Sequence, residues 1–423
     1  MQALIDAHLQ STPLPAKLYV AHRHLSIAAD TPSLLRAATG SPIGSLAVIM
    51  RPGLAIIGLG TAAAEFSTDP AGFRARLRTA LVAGGTGAHG SCVLGLVPFD
   101  PVSLPSIMVL PKVVLRVAGQ SVLVSAVAST PEEAAELLED GCQIAAAATS
   151  GPPSGRPGPQ LGELDFTETE GTWLAKADRA LSMIRSGRFE KLVLSRRARV
   201  HLPDEIDRCQ SLARLAFMYP GALTFSFLHL LGATPELLLR KAGDSFESHP
   251  LAGTAPAGAE AQLLRSGKDN HEHRVVVSHI ESRLSPFTQR LEASGLPSIT
   301  SFGPICHLGT PIKGILAEGG QTSSLDLLLA IHPTPAVAGV PQRQAIDAIQ
   351  EIEDEPRHYY AGAIGFEDVD GDGEWHLVIR TVAIGDHEAE FQAGVGLVAE
   401  SEPDSESAEV KAKLASMRPI VAG

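Results

Sequence analysis

The 423-residue chain lacks most features that assign a protein at a glance. Its 4 cysteines, Cys92, Cys142, Cys209 and Cys306, are widely scattered with no Cys-x-x-Cys pair. That excludes a disulfide framework and a zinc knuckle, and fits a reducing, cytoplasmic setting. Positive charge is also scarce: 34 Lys and Arg stand against 47 Asp and Glu, for a formal net charge of −13. Neither nucleic acid nor an anionic membrane surface is expected as a partner, because both need basic patches to match phosphate charge. Long apolar runs are missing too. The stretch from Ile107 to Val127 is interrupted by Lys112 and Arg116, and the opening Met-Gln-Ala-Leu-Ile-Asp-Ala-His has no basic start followed by an apolar run. No membrane span and no targeting signal are expected.

Three metal or nucleotide motifs are incomplete. His271 and His273 lack the His-Glu-x-x-His spacing, and residues two apart on a helix diverge. Asp368-Val-Asp-Gly-Asp-Gly373 begins like an EF-hand loop, but its twelfth position is Ile379 where a bidentate Glu is needed, so it reads as a hairpin turn. Gly58-Leu-Gly-Thr-Ala-Ala63 follows a strand, yet Pro70 limits the next helix and no acid follows at the spacing of a dinucleotide fold. Gly394-Val-Gly396 also imitates a fingerprint, but an acidic stretch follows it. Those glycines are better read as letting a ligand approach the backbone.

What is present is a chain with 44% hydrophobic residues, enough to fill a large core. The first third reads as strands and hairpins (46–50, 54–57, 92–97, 113–117 and 121–127), with helices at 70–82 and 131–147. The segment 150–164 is rich in Pro and Gly and reads as a surface connection. Beyond it come a helix with Trp173, Leu174, Ala177, Leu181 and Ile184 on one face, a strand 191–196, one strand over 223–231, and a hairpin opened by Glu236. A central helix starts near Lys268, with Asp269 as candidate N-cap. Helices at 342–352 and over Glu406, Glu409 and Lys413 follow.

Several charged residues sit where chemistry could use them, and each has a plainer role. Glu272 could complete a capping box or bind a metal. Glu406 and Glu409, three apart, share a helical face and could add two more oxygen ligands, the donor type that suits Mg²⁺, or could be a solvated helix start. Lys191 and Glu236 each open an apolar strand. Burial would make the first a usable base and the second a proton donor; a lysine there could also just reach to water. Arg380, in an apolar strand, suits a carboxylate ligand or a structural ion pair.

Together, Lys191-Leu-Val-Leu-Ser-Arg, Pro235-Glu-Leu-Leu-Leu-Arg, Pro250-Leu-Ala-Gly-Thr, Lys268-Asp-Asn-His-Glu-His, His332-Pro-Thr-Pro-Ala, Val378-Ile-Arg, Ala393-Gly-Val-Gly and Glu406-x-x-Glu409 resemble the chorismate-utilising enzymes, of the anthranilate synthase component I type, and isochorismate synthases most closely. The resemblance covers about 189–417. It implies an α+β fold of two large, mainly antiparallel sheets packed face to face with helices outside. The chain 1–423 is then one domain: an N-terminal lobe to about 150, the Pro/Gly connection, and a chorismate-binding region over about 165–421.

Carried onto this chain, the resemblance implies Lys191 as the base activating water for attack at C2 of chorismate and Glu236 as the acid protonating the departing C4 hydroxyl. It implies Glu272, Glu406 and Glu409 as Mg²⁺ ligands, and Ala252, Gly253, Thr254, His332, Ala336, Tyr360, Ile379, Arg380, Gly394 and Lys413 around the substrate. Ala252 stands where lysine-nucleophile aminodeoxychorismate synthases carry Lys, and Lys313 belongs to another segment. Ala336 replaces the Thr of anthranilate and salicylate synthases. Gln392 departs from an expected aromatic residue. The implied activity is a Mg²⁺-dependent, monomeric isochorismate synthase of siderophore or menaquinone biosynthesis with no amidotransferase subunit. The alternatives are a salicylate synthase and a non-catalytic ligand-binding homologue.

Overall fold

The computed structural model describes residues 11–26, 30–39, 41–43, 46–85, 90–148, 161–317 and 322–422. Most of the expected Pro/Gly connection, 150–160, lies outside them. Among the described residues the strands form a 12-stranded, a 9-stranded and a 3-stranded sheet. The largest sheet runs in the spatial order Tyr19–Ser26, Ser121–Ala128, Val113–Ala118, Leu54–Leu59, Leu46–Arg51, Leu223–Phe227, Leu230–Thr234, Thr381–Ile384, Glu388–Leu397, Lys191–His201, Gly339–Val340, with Asp165–Phe166 off this path. Strands from either side of the connection pair directly: Leu46–Arg51 with Leu223–Phe227 in the first sheet, and Cys92–Val97 with Ala363–Asp368 in the second.

Alternation along the strands sets the layers, because successive side chains point to opposite faces. Ile49, Ile56 and Val114 of the largest sheet cluster with Leu94, Leu96, Ile107, Ile364 and Phe366 of the 9-stranded sheet, which places this core between the two sheets. Their neighbours Val48, Ile57, Val113 and Leu115 face the other way into the main core under the helices. The helix Pro131–Ala147 lies on that outer face. Its Gly141 permits the approach, since a Cβ there would sit 2.8 Å from Val113 Cγ1 and Val124 Cγ1. The architecture is the two-sheet α+β arrangement that the resemblance implied.

Three local expectations need correction. The run 223–231 is two strands, Leu223–Phe227 and Leu230–Thr234, turning at Leu228 with φ 54. No Gly or Pro marks that turn; the half-buried Arg208 holds it by donating to the Leu228 carbonyl. The strand from Lys191 runs on to His201, because Arg197 and Arg199 meet Glu390 on the paired strand Glu388–Leu397. The central helix spans Gly267–Leu284 and is capped by Ser266, whose side chain accepts from the Asp269 amide, so Asp269 and Glu272 form no capping box. In keeping with the incomplete fingerprint at Gly58–Ala63, after Gly60 (φ 62) the chain enters a strand, Ala63–Ser67, where a nucleotide fold would need a helix.

Candidate active site

One cavity opens where the three sheets meet the helices Gly267–Leu284 and Pro403–Ser416. Val193 and Gln392 come from the largest sheet, Leu377 from the second, Leu251 to Thr254 and His307 from the third. Lys191 begins its strand fully buried, with Nζ 2.9 Å from Glu272 Oε1. The contact is an ion pair whose alignment falls short of a hydrogen bond. Gly396 makes the room: a Cβ there would lie 2.5 Å from Glu272 Oε1 and 2.8 Å from Lys191 Cε. The glycine therefore admits the protein's own lysine and glutamate.

Glu236 precedes the strand Leu237–Ala242 and is buried on the cavity wall, with Oε1 unpartnered. Burial pushes its carboxyl up to about 8, against the smaller opposing effects of the Leu251 amide and the Lys191 charge. At neutral pH it is a carboxylic acid with a proton to give. Glu272 is largely enclosed, yet its carboxyl is held low: desolvation alone would raise it, but Lys191 beside it, with Lys413 and Lys268, outweighs that cost. Two glutamates lining one cavity thus hold opposite protonation states, which is how acid and base roles separate.

Glu406 accepts from Lys268 Nζ at 2.6 Å, and Glu409 pairs with Lys413 Nζ at 2.6 Å. Each of the three glutamates is therefore turned to its own ammonium. Among the described residues no three acidic, histidine or cysteine side chains are drawn together closely enough to hold an ion as they stand. In chemistry the set fits a hard divalent cation, being oxygen donors from two helices opening on one cavity. Closing on such an ion would require the carboxylates to turn from their lysines.

Arg380, at φ 54, is buried with its guanidinium near Ser416 Oγ (3.2 Å) and His307 Nε2 (3.5 Å). Among the described residues no carboxylate lies within ion-pair distance of it, which removes the structural-ion-pair reading. Burial lowers it to about 10. It is a cation held ready for an anionic guest. Ala252, Gly253, Thr254, Ala336, Tyr360, Ile379, Gly394 and Lys413 also line the cavity, as does Gln392.

His332 does not. Its Nε2 meets the Pro98 carbonyl at 2.9 Å in the interior, and burial lowers the ring to about 4, so it is a neutral structural histidine. His307, which no motif marked, takes a place beside Arg380: its Nδ1 reaches the Gly253 carbonyl at 3.2 Å, leaving Nε2 toward the guanidinium. The only sequence signal is a histidine in an otherwise apolar strand, Ile305–Gly309. The two histidines of the zinc reading diverge: His273 is buried against Thr310 Oγ1 at 2.7 Å, while His271 points out toward Glu190 at 3.5 Å. Asp368 accepts the amides of Asp370 and Asp372, as a hairpin turn does.

Fold and site define an acid–base enzyme cavity for a small anion: a protonated carboxyl, a guanidinium with no carboxylate partner among the described residues and a set of hard oxygen donors, with the Lys191 amine buried against Glu272 outside the cavity lining. The chain belongs to the chorismate binding enzymes, whose family model matches residues 100–422. It is 39% identical over 259 residues to the salicylate biosynthesis isochorismate synthase of Pseudomonas aeruginosa, covering 58% of this chain and 54% of that one. It is 36% identical over 259 residues to an isochorismate synthase of Bacillus subtilis, covering 57% of this chain and 65% of that one. The sequence match thus spans less than two thirds of the length of these relatives. In fold it is similar to the menaquinone-specific isochorismate synthase of Escherichia coli, with a TM-score of 0.78, 22% identity, and coverage of 99% of this chain and 98% of that one. No helix among the described residues is long and apolar enough to cross a membrane.

Proposed function

We propose that this protein is an isochorismate synthase. The observation that carries the reading is an unpartnered and protonated Glu236 on the wall of a cavity that Glu272 also lines, with Lys191 buried against Glu272. In the reaction a water attacks C2 of chorismate while Lys191, having first given up the proton it shares with Glu272 in the resting ion pair, takes a proton from that water as a neutral amine. The ring double bonds shift, the C4–O bond breaks, and Glu236 protonates the departing hydroxyl, which leaves as water. Hydroxyl is gained at C2 and lost at C4, so the product is an isomer.

Substrate carboxylates meet Arg380 at one wall and Lys413 at another. Glu272, Glu406 and Glu409 would hold Mg²⁺, which when bound supplies positive charge for the ring carboxylate. Ala252 offers no amine for covalent capture of the ring, so water is the nucleophile and no ammonia-supplying subunit is required. The names of the relatives, all isochorismate synthases, support the same product.

Chromatography of chorismate incubated with the purified protein and Mg²⁺ is expected to show isochorismate without pyruvate. Absence of isochorismate overturns the reading, and stoichiometric pyruvate moves it to salicylate formation. Calorimetric titration with Mg²⁺ is expected to show one site, lost in Glu272→Ala.

A further inference from the structure

We propose that Gln392 determines specificity by presenting a fixed hydrogen-bond acceptor to the substrate hydroxyl para to the ring carboxylate. The orientation of Gln392 is set behind the cavity wall. Arg357 is buried, donating to the Val193 carbonyl at 2.6 Å and the Val337 carbonyl at 2.7 Å, and its Nε lies 2.9 Å from Glu353 Oε2. Glu353 Oε1 accepts the Ser195 amide at 2.8 Å and the Ser195 hydroxyl at 3.0 Å. A hydroxyl has one proton, and that of Ser195 is spent on the carboxylate, so toward Gln392 it can only accept. The contact of 2.8 Å between Gln392 and Ser195 Oγ must therefore be made by the amide nitrogen.

This fixes an orientation that is otherwise ambiguous in an amide. Gln392 Oε1 is left without a partner, although the residue is only 4% exposed and lines the cavity. A buried acceptor left empty is costly, so its position implies a guest that brings a donor. A carboxylate or an ether oxygen cannot serve.

Position narrows the guest group. Gln392, Gly394 and Gly396 alternate onto one face of their strand. Glu272 approaches at Gly396, so Gln392 sits ~13 Å along the strand from the glutamate end. On the reading of the site as one for chorismate, on which this inference rests, the ring carboxylate lies at the glutamate end. The opposite end of the ring then carries the C4 hydroxyl, the substrate's one O–H donor. Gln392 receives it, directly or through one water.

The test compares chorismate with its 4-deoxy analogue. Affinities are measured by calorimetry in the Lys191→Ala background, so that neither ligand is consumed. The Lys191→Ala protein is expected to prefer chorismate by about tenfold, one net hydrogen bond. Adding Gln392→Met, similar in length without the acceptor, is expected to reduce the preference to about twofold or less. Adding Ser195→Ala instead, which frees the amide to turn, is expected to weaken it while leaving Gln392 in place, and covers the case in which the Met variant does not fold. An undiminished preference in either folded variant, or none in the parent, overturns the role of Gln392 while isochorismate synthesis by the wild type stands. Failure of the wild type to turn over chorismate removes both.

Discussion

Glu236 and Glu374 are equally hidden, each 2% exposed, yet the protein treats them in opposite ways. Glu374, in the strand Gly373–Leu377, is ringed by donors: Arg51 Nε at 2.9 Å, Arg240 Nε at 2.7 Å and His376 Nε2 at 2.7 Å. Desolvation would raise its carboxyl, but these partners hold it far below the usual range. Glu236, on the paired strand's threshold, has an oxygen with no partner, and burial lifts it to about 8. Burial alone therefore says nothing about purpose. A paired buried carboxylate is part of the scaffold, and an unpaired one facing a cavity is held for chemistry.

Exchanging each for its neutral isostere should break the comparison most visibly. Glu236→Gln is expected to lower isochorismate formation about 10²-fold or more while leaving the denaturant midpoint at or above the wild-type value, since no ion pair is lost. Lys191→Ala should cost a similar factor. Glu374→Gln should do the reverse: on the order of 3 kcal/mol of stability lost in urea melts, because Arg51 and Arg240 are left half-buried without their anion, with kcat near normal where the protein stays folded.

The same pair can be separated by pH. Glu236 is raised from 4.5 to about 8, so the folded state holds a proton that the unfolded chain releases. Its contribution to stability is full below about 4.5 and is lost as pH rises toward 8. Its activity as an acid should fall about tenfold per unit above that value, in a kcat profile whose basic limb is absent from the residual activity of Glu236→Gln. Glu374 is depressed, so its contribution is present above about 4.5 and is lost only as pH falls through its lowered value. Urea midpoints of wild type, Glu236→Gln and Glu374→Gln across pH 3 to 9 would show the two slopes with opposite sign. A common slope would break the assignment.

How much of this could be read from the chain depended on whether a signal was local. The helices 131–147 and 342–352 and the strand 92–97 follow from periodicity and match residue for residue in their bounds, whereas the α+β class follows from the family resemblance. Lys191 and Glu236 stood out because a charge at the mouth of an apolar strand is legible in a few residues. The turn at Leu228 was hidden, since an arginine twenty positions away holds it and no turn residue marks it. His332 misled because its motif says nothing of Pro98, more than two hundred residues earlier, whose carbonyl occupies the ring. Gln392 registered only as an oddity. Its orientation is set by Glu353 through Ser195, a relation across three distant segments that no spacing encodes.

A second contrast, between two lysines, carries the smallest expected effect. Lys313 lies in Pro-Ile-Lys-Gly, a segment easily mistaken for the one where related enzymes place a nucleophilic lysine, and it is exposed on the strand Ile312–Leu316 with Glu247 and Glu292 opposite on the two adjoining strands. Lys191 is fully buried against Glu272, which lines the cavity. An exposed lysine flanked by acids stays in contact with solvent, and removing it forfeits at most a weak surface attraction. Lys313→Ala should leave isochorismate formation within about twofold of wild type and stability within about 0.5 kcal/mol. A loss comparable to that of Lys191→Ala would mean that the reacting amine had been placed on the wrong strand, and that the cavity beside Gly396 is not where the ring is attacked.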